Sequence, residues 1–148
     1  MSHLIRNSHN VSILIYHFVC PAKYRRAVIN EQVDQVLREV CLEIAKRYHV
    51  EFLEIGMDKD HVHFLVQSVP TYSPTKIITL IKSLLAREVF AKVPSVKKQL
   101  WGGEFWSDGY YVSTVGPHAT EDVIRQYVKN QGHEGEYKKL HGQQLNLF

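Results

Sequence analysis

The sequence predicts an α+β fold of the ferredoxin-like type, in which an antiparallel sheet carries its helices on one face. Segments with strand-like and helix-like hydrophobic patterns follow one another in the order β-α-β-β-α-β, and one further helix comes after them. The chain has 148 residues, a length that suits one domain around one hydrophobic core. We therefore expect a single domain over residues 1–148.

The first half of the chain supplies three of the strands and one helix. Strands are predicted where β-branched and aromatic residues concentrate, over residues 11–19, 50–57 and 61–68. A basic loop over residues 21–26 follows the first strand, and Lys59 and Asp60 form a tight turn before the third. A helix is predicted over residues 31–48, with an apolar face made of Val33, Val36, Leu37, Val40, Leu42, Ile44 and Ala45.

The second half begins with a helix that has clear start and stop signals. Ser73 is a plausible N-cap and Pro74 suits the first turn, so the helix is expected to run to about Lys92, where Pro94 ends it. An aromatic loop, a fourth strand, a last helix and a polar tail are then expected over residues 101–108, 110–115, 120–131 and 133–148.

The positive charge is concentrated in one segment. The whole chain carries a net charge of +3, whereas residues 70–100 alone hold six basic residues and one acidic residue, a local surplus of +5. A local basic surface is what a phosphate backbone requires, although a solvated helix face would look the same.

Composition argues against several classes of protein. No segment is apolar for long enough to cross a bilayer, so no membrane partner is expected, and polar residues interrupt any signal-peptide core at the N-terminus. The two cysteines match no metal or redox spacing, which fits a reducing cytoplasm. The chain also lacks the glycine-rich loop that cradles nucleotide phosphates.

His61 and His63 are the first candidates for chemistry. Side chains alternate along a strand, so both imidazoles should leave one face, about 7 Å apart along the chain, while Val62 and Phe64 point to the helix layer. Two such imidazoles can hold one metal ion, or they can simply be half-exposed on an open face. Asp60 could orient one imidazole, or it could only form the turn.

A second candidate group lies on the last predicted helix. Tyr127 and Gln131 are four residues apart and share a helix face, which places a phenol beside an amide oxygen. The phenol can attack phosphorus and the amide can complete a metal site. The same tyrosine could instead pack with Val123 and Ile124.

Taken together, these motifs resemble the HUH single-strand DNA transposases with one catalytic tyrosine, the insertion-sequence 200/605 type. The resemblance covers residues 10–135, with no departure at the catalytic positions. It rests on Asp60-His61-Val62-His63, on Tyr127 with Gln131, on the early stretch from Tyr16 to Arg25, and on the aromatic segment from Leu100 to Tyr110.

The resemblance implies a mechanism and a set of partners. His61, His63 and Gln131 would hold Mg²⁺ or Mn²⁺, and Tyr127 would be the nucleophile, joined to a 5′ phosphate after cleavage. The substrate would be single-stranded DNA with a hairpin near the cut, at the end of a mobile element. The protein would be a homodimer of the cytoplasm, associated with the nucleoid when bound to DNA.

A DNA-binding surface is expected on two basic segments of the chain. Lys76, Lys82 and Arg87 share one side of the predicted helix after Ser73, opposite its apolar side, and could meet phosphates. Lys23, Arg25 and Arg26 of the basic loop could add to that surface. Aromatic residues of the later segment could stack on unpaired bases, but they are more often found in a core or an interface, and they are Trp101, Phe105, Trp106, Tyr110 and Tyr111.

Other functions remain compatible with the same residues. A related HUH nuclease of replication or conjugation, or a domesticated relative that acts on repeat palindromes, would keep the chemistry and change the biology. A non-catalytic nucleic-acid binder is disfavoured because residues 61–68 lack the glycine and paired aromatics of an RNA-recognition motif. A zinc hydrolase is disfavoured because no third ligand stands at motif spacing.

Overall fold

The computed structural model describes residues 4–6, 9–100 and 102–116. The predicted last helix with Tyr127 and Gln131, and the predicted tail from residue 133, lie outside the described residues. The described elements are β1 (Ile5–Arg6), β2 (Val11–Ser12), β3 (Leu14–Pro21), a 3-10 turn (Lys23–Arg25), α1 (Glu31–Arg47), β4 (Val50–Met57), β5 (His61–Ser68), α2 (Pro74–Lys92), α3 (Pro94–Gln99) and β6 (Tyr111–Val115).

The main sheet has four strands in the order β4-β5-β3-β6, with every neighbouring pair antiparallel. Strands β3 and β5 are central, and in their register Pro21 pairs with His61 and Val19 with His63. The β-α-β-β-α-β order is the predicted one, so the ferredoxin-like α+β fold is confirmed.

Helix α1 forms where the apolar spacing and a cap agree. The Asn30 side chain accepts a hydrogen bond from the Val33 amide, which satisfies one of the first turn's donors. The predicted apolar face was partly wrong, because Leu42 is 65% exposed and Cys41 is buried instead. Cys41 is one residue from Leu42 and one turn from Leu37, so it continues the buried stripe where Leu42 cannot.

Helix α2 begins and ends where its signals predict. Ser73 caps it by accepting from the Lys76 amide, and Pro74 occupies its first turn. Pro94 ends it and at once opens the short helix α3, because a proline that cannot continue one helix suits the first turn of the next. Neither α3 nor the small β1–β2 hairpin was predicted.

Both faces of the central strand are covered. Every residue of β5 is buried. Val62, Phe64 and Val66 belong to the main core with the helices, whereas Leu65 packs on the other face with Ile15 and Leu53. Within the described residues no helix is long and apolar enough to cross a membrane.

Candidate active site

The histidine pair lies at the start of β5, on the face away from the helices. His61 is 8% exposed and His63 is fully buried, so the alternative of two half-exposed imidazoles on an open face does not hold. Their ring centroids are 4.7 Å apart, with the planes nearly perpendicular. Strand alternation therefore brings the two rings together on one face, as predicted. The side chain of Val62, which lies between the two histidines in sequence, points to the opposite face and into the core.

Asp60 orients His61. The His61 Nδ1 atom lies 2.6 Å from Asp60 Oδ1, a distance at which the imidazole N–H donates to the carboxylate. The second carboxylate oxygen accepts from Arg25, whose Nε lies 3.3 Å away. Partial burial alone raises the pKa of Asp60, but the hydrogen bond from His61 and the charge of Arg25 outweigh it and hold that pKa below its usual value. Asp60 is thus an ionised link between His61 and the basic loop.

A third histidine, His17, completes the cluster and was missed as a site residue. It is 1% exposed in β3, and its Nε2 atom lies 3.4 Å from Nδ1 of His63. In sequence, His17 is a lone histidine in an apolar strand. Its proximity to His63 depends on the pairing register of β3 and β5, which the strand's own pattern does not give.

The basic loop is held against the start of β5 by its backbone. The Ala22 amide donates to the Asp60 carbonyl at 2.8 Å, and the Lys23 amide donates to the Phe105 carbonyl at 2.8 Å. Tyr24 and Arg25 have φ angles of 57° and 53°, in the left-handed region that non-glycine residues adopt at a cost. This tight turn aims Arg25 back at Asp60.

The aromatic segment after α3 contributes mainly to the core. Phe105 and Trp106 are 1% and 6% exposed, which agrees with the expectation that these aromatic residues fill a core. Tyr110 is partly exposed. The Trp106 Nε1–H donates to the Lys82 carbonyl at 2.9 Å. Trp101 lies outside the described residues.

The predicted DNA-binding residues do not share one environment. The Lys82 ammonium donates to the carbonyls of Ser107 and Asp108 at 2.8 and 3.4 Å, so it holds the aromatic segment in place. Lys76 lies over the Tyr72 ring, 4.8 Å from its centroid. Arg87 lines a groove between α2 and α1.

The three cations of the basic loop also differ from one another. Arg25 approaches the histidine cluster, Lys23 forms an ion pair with Glu104 at 2.7 Å, and Arg26 is exposed.

The donor chemistry of the site fits a divalent metal ion. Nδ1 of His61 and of His63 each face a neighbouring side chain, so Nε2 is the nitrogen that each ring would offer to an ion. Two imidazoles suit Mn²⁺ better than Mg²⁺, which prefers oxygen. A second donor group adjoins them, since Asp58, Asp60 and His61 present ligand atoms within 4.8 Å of one another. Gln131 and Tyr127 lie outside the described residues.

Comparison with known proteins gives the family. The sequence matches the model of IS200-like transposases over residues 10–131. It is 31% identical over 118 residues to the ISDra2 transposase TnpA of Deinococcus radiodurans. This alignment covers 80% of the present chain and 84% of the relative. It is 27% identical over 132 residues to the transposase of insertion sequence IS200 from Salmonella typhimurium, covering 89% and 83%.

Solved structures agree with the fold. A crystal structure of a Deinococcus radiodurans transposase superposes with a TM-score of 0.70 at 31% identity, covering 86% of this chain and 97% of that one. A REP-associated tyrosine transposase bound to a REP hairpin superposes with a TM-score of 0.54 at 16% identity, covering 86% and 68%. With a family match over most of its length and a buried histidine pair on the central strand, this chain belongs to the IS200-like transposase family.

Proposed function

We propose that this transposase cleaves and rejoins single-stranded DNA with a divalent metal ion and a tyrosine nucleophile. The observation that carries the proposal is the buried pair His61 and His63, with His61 held by Asp60 and Arg25 beside them. A metal-binding pair next to an arginine suits a phosphodiester, which is anionic and resists nucleophilic attack. Membership of a transposase family supports DNA as the substrate.

His61 and His63 would hold the ion through their Nε2 atoms, with Gln131 as a further ligand. A bound Mn²⁺ or Mg²⁺ would withdraw charge from the scissile phosphate and fix its position. Asp60 keeps the proton of His61 on Nδ1, which leaves the Nε2 lone pair directed at the ion. The neutral form of both rings is required for this role, because a protonated imidazole has no lone pair to donate.

Tyr127 would act as the nucleophile. Its phenolic oxygen loses its proton and forms a bond to phosphorus as the bond from phosphorus to the 3′ oxygen breaks, and the departing 3′ oxygen takes up a proton to become a hydroxyl. The 5′ end is then joined to the tyrosine. The reverse step, with a 3′ hydroxyl attacking the phosphotyrosine, rejoins DNA without ATP because the covalent link conserves the energy of the broken bond.

The basic loop would hold the DNA backbone near the site. Arg25 carries a planar guanidinium suited to phosphate, and it is 60% exposed on its side chain while it contacts Asp60. Arg26 is exposed, and Lys23 is tied to Glu104, so Arg25 and Arg26 are better placed than Lys23 for a phosphate. A contribution from Lys76, Lys82 and Arg87 remains part of the proposal, with Lys82 acting largely through the aromatic segment.

The proposed substrate is the single-stranded DNA end of a mobile element, folded into a hairpin. The proposed working form is a homodimer, which acts in the cytoplasm and associates with the nucleoid when it binds DNA. The REP-associated tyrosine transposase with the same fold was solved with a REP hairpin, which supports a hairpin ligand as the first substrate to test.

The test is formation of a covalent protein–DNA adduct. The full chain is mixed with single-stranded DNA from the flanks of its own gene and Mg²⁺, Mn²⁺ or Zn²⁺, then run on a denaturing gel beside Tyr127→Phe and His63→Ala. We expect an adduct that needs Mn²⁺ or Mg²⁺, His63 and Tyr127, and that duplex DNA does not form. Binding without any adduct would instead favour a non-catalytic DNA-binding relative, and cleavage with Zn²⁺ alone and no adduct would favour a hydrolase.

A further inference from the structure

We propose that His17 is a positioning residue of the metal site, fixing the ring orientation and the protonated nitrogen of His63. The proposal rests on the proposed function, in which His63 holds a metal ion. It concerns a residue on a different strand from the ligand pair, which neither the motif of the pair nor the predicted tyrosine helix includes.

The geometry of the two rings is that of an in-plane contact between nitrogens. His17 Nε2 and His63 Nδ1 are 3.4 Å apart, and the ring planes differ by 14°. The centroids are 5.6 Å apart, which exceeds the nitrogen–nitrogen distance by about the width of an imidazole ring. The two nitrogens therefore point at each other, with the ring planes nearly parallel. A separation of 3.4 Å is long for a hydrogen bond. We expect this separation to shorten when the site holds an ion.

The pairing register of the sheet creates this contact. Val19 pairs with His63 and His17 pairs with Leu65, so His17 and His63 are diagonal neighbours on the face of the sheet away from the helices. On that face Ile15 and Leu65 are buried near His17, Ser113 of β6 pairs opposite His17, and the Tyr111 ring centroid lies 6.2 Å from that of His17. Burying an imidazole there costs free energy that an apolar side chain would not, unless the imidazole makes a hydrogen bond.

The contact gives His63 what Asp60 gives His61. Both proposed ligands have Nδ1 directed at a neighbouring side chain, a carboxylate for His61 and an imidazole for His63. Metal-ligating histidines almost always donate their other ring N–H to such a partner, and loss of that partner typically weakens metal binding about 10–100-fold. His17 thus fits the position that Asp60 occupies on the other side of the pair.

The role fixes where the protons must be. For His63 to bind an ion through Nε2, its proton must sit on Nδ1 and be donated to Nε2 of His17. His17 must then be neutral, with its own proton on Nδ1. A phenylalanine at position 17 would keep the planar ring and the packing but could accept no hydrogen bond, whereas a glutamine could place its amide oxygen near the former Nε2.

The experiment is a calorimetric titration of the full chain with Mn²⁺. His17→Phe should bind Mn²⁺ about tenfold or more weakly than wild type, and His17→Gln should recover most of that loss. His49→Phe, a histidine on the exposed surface whose ring stacks on Tyr72, is the matched control and should bind as wild type. Thermal melting of each variant separates weaker binding from loss of fold.

A second readout does not depend on the variants. In ¹⁵N-labelled wild type with Zn²⁺ as a diamagnetic probe, long-range proton–nitrogen correlations should show His63 protonated on Nδ1 and His17 unprotonated on Nε2. Wild-type affinity in a folded His17→Phe variant, or His63 protonated on Nε2 in the bound state, would overturn the role of His17 alone. No Mn²⁺ binding by wild type, or full binding by His63→Ala, would overturn the metal site and His17 with it.

Discussion

Asp60 is the residue through which the basic loop and the histidine pair touch. One carboxylate oxygen accepts from His61 at 2.6 Å and the other from Arg25 at 3.3 Å. Because Asp60 directly precedes the pair, the sequence allowed it either to orient an imidazole or to form the turn before β5. In the structure Asp60 does both. His17 could not be found in the same way, since its contact with His63 joins residues 46 positions apart.

Replacing Asp60 tests the orientation of His61. Asp60→Asn keeps the size of the side chain but removes the charge that favours Nδ1–H of His61, so we expect Mn²⁺ affinity to fall about tenfold. Asp58→Asn is the control, because Asp58 belongs to the same carboxylate group but accepts from the Lys59 amide, whereas Asp60 accepts from the His61 ring. A greater loss in Asp58→Asn than in Asp60→Asn, measured by the same titration, would move the ion to the carboxylates.

The two cysteines should be chemically silent in the folded protein. Burial raises the pKa of the Cys20 thiol to about 12, against the lowering effect of Lys82, and burial raises the pKa of Cys41 to about 12 as well. Thiolate is the reactive form, so a disulfide reagent at pH 8 should label native protein very slowly and both thiols quickly in denaturant. Rapid labelling of native protein at either thiol would contradict the described burial.

At the scale of elements, local signals predicted the regular structure and failed at the joins. Helices α1 and α2 start at capping side chains that the sequence displays, Asn30 and Ser73. Strands β1 and β2 are two residues long each and α3 is six residues long, too short for a periodic pattern to stand out. Leu42 was misplaced because hydrophobicity alone does not say which side of a helix faces the sheet.

An ion pair ties the basic loop to the aromatic segment, and it gives a pH dependence. The hydrogen bond donated by Lys23 and its charge lower the pKa of Glu104 below 4.5, and the same hydrogen bond to Glu104 raises the pKa of Lys23 above 10.5. The pair's contribution to stability is therefore complete between pH 4.5 and 10.5, and it is lost as pH falls through the lowered pKa of Glu104 or rises through the raised pKa of Lys23.

Glu104→Gln should accordingly lower the melting temperature slightly at pH 7, since an ion pair whose carboxylate is largely exposed contributes little. The difference from wild type should shrink as pH falls below 4.5 and both proteins lose the pair. Glu39→Gln, which removes an exposed carboxylate from α1, is the control. A difference that persists unchanged into acid would mean that the glutamate stabilises the fold by some means other than its charge.

At the scale of the whole molecule, the fold places the site where two central strands and two loops meet. Strand β5 is buried along its length, so the histidine pair is fixed by the sheet, while the basic loop and the aromatic segment meet beside it. The net charge of +3 is small, and its arrangement decides how DNA would approach. The hydrophobic pattern of the sequence predicted this architecture. The different contacts that the basic residues make, such as Lys23 with Glu104 and Arg25 with Asp60, could be seen only in the three-dimensional structure.

Charge reversal tests whether the basic loop meets the DNA backbone. Arg25→Glu should weaken binding of single-stranded DNA and reduce the slope of log affinity against log salt by about 1. Lys46→Glu makes the same change of charge near the far end of α1 and should leave the slope unaltered. Equal salt slopes for Arg25→Glu and wild type, by fluorescence anisotropy, would remove Arg25 from the DNA-binding surface.

The most direct test of the account is to find which tyrosine carries the DNA. The chain has eight tyrosines, and among the described residues the ring of Tyr111 lies 6.2 Å from that of His17, between centroids. The adduct formed with Mn²⁺ would be digested with nuclease and trypsin and mapped by mass spectrometry. We predict a nucleotide on the peptide of residues 126–129, linked to Tyr127; a nucleotide on any other tyrosine would contradict the central claim.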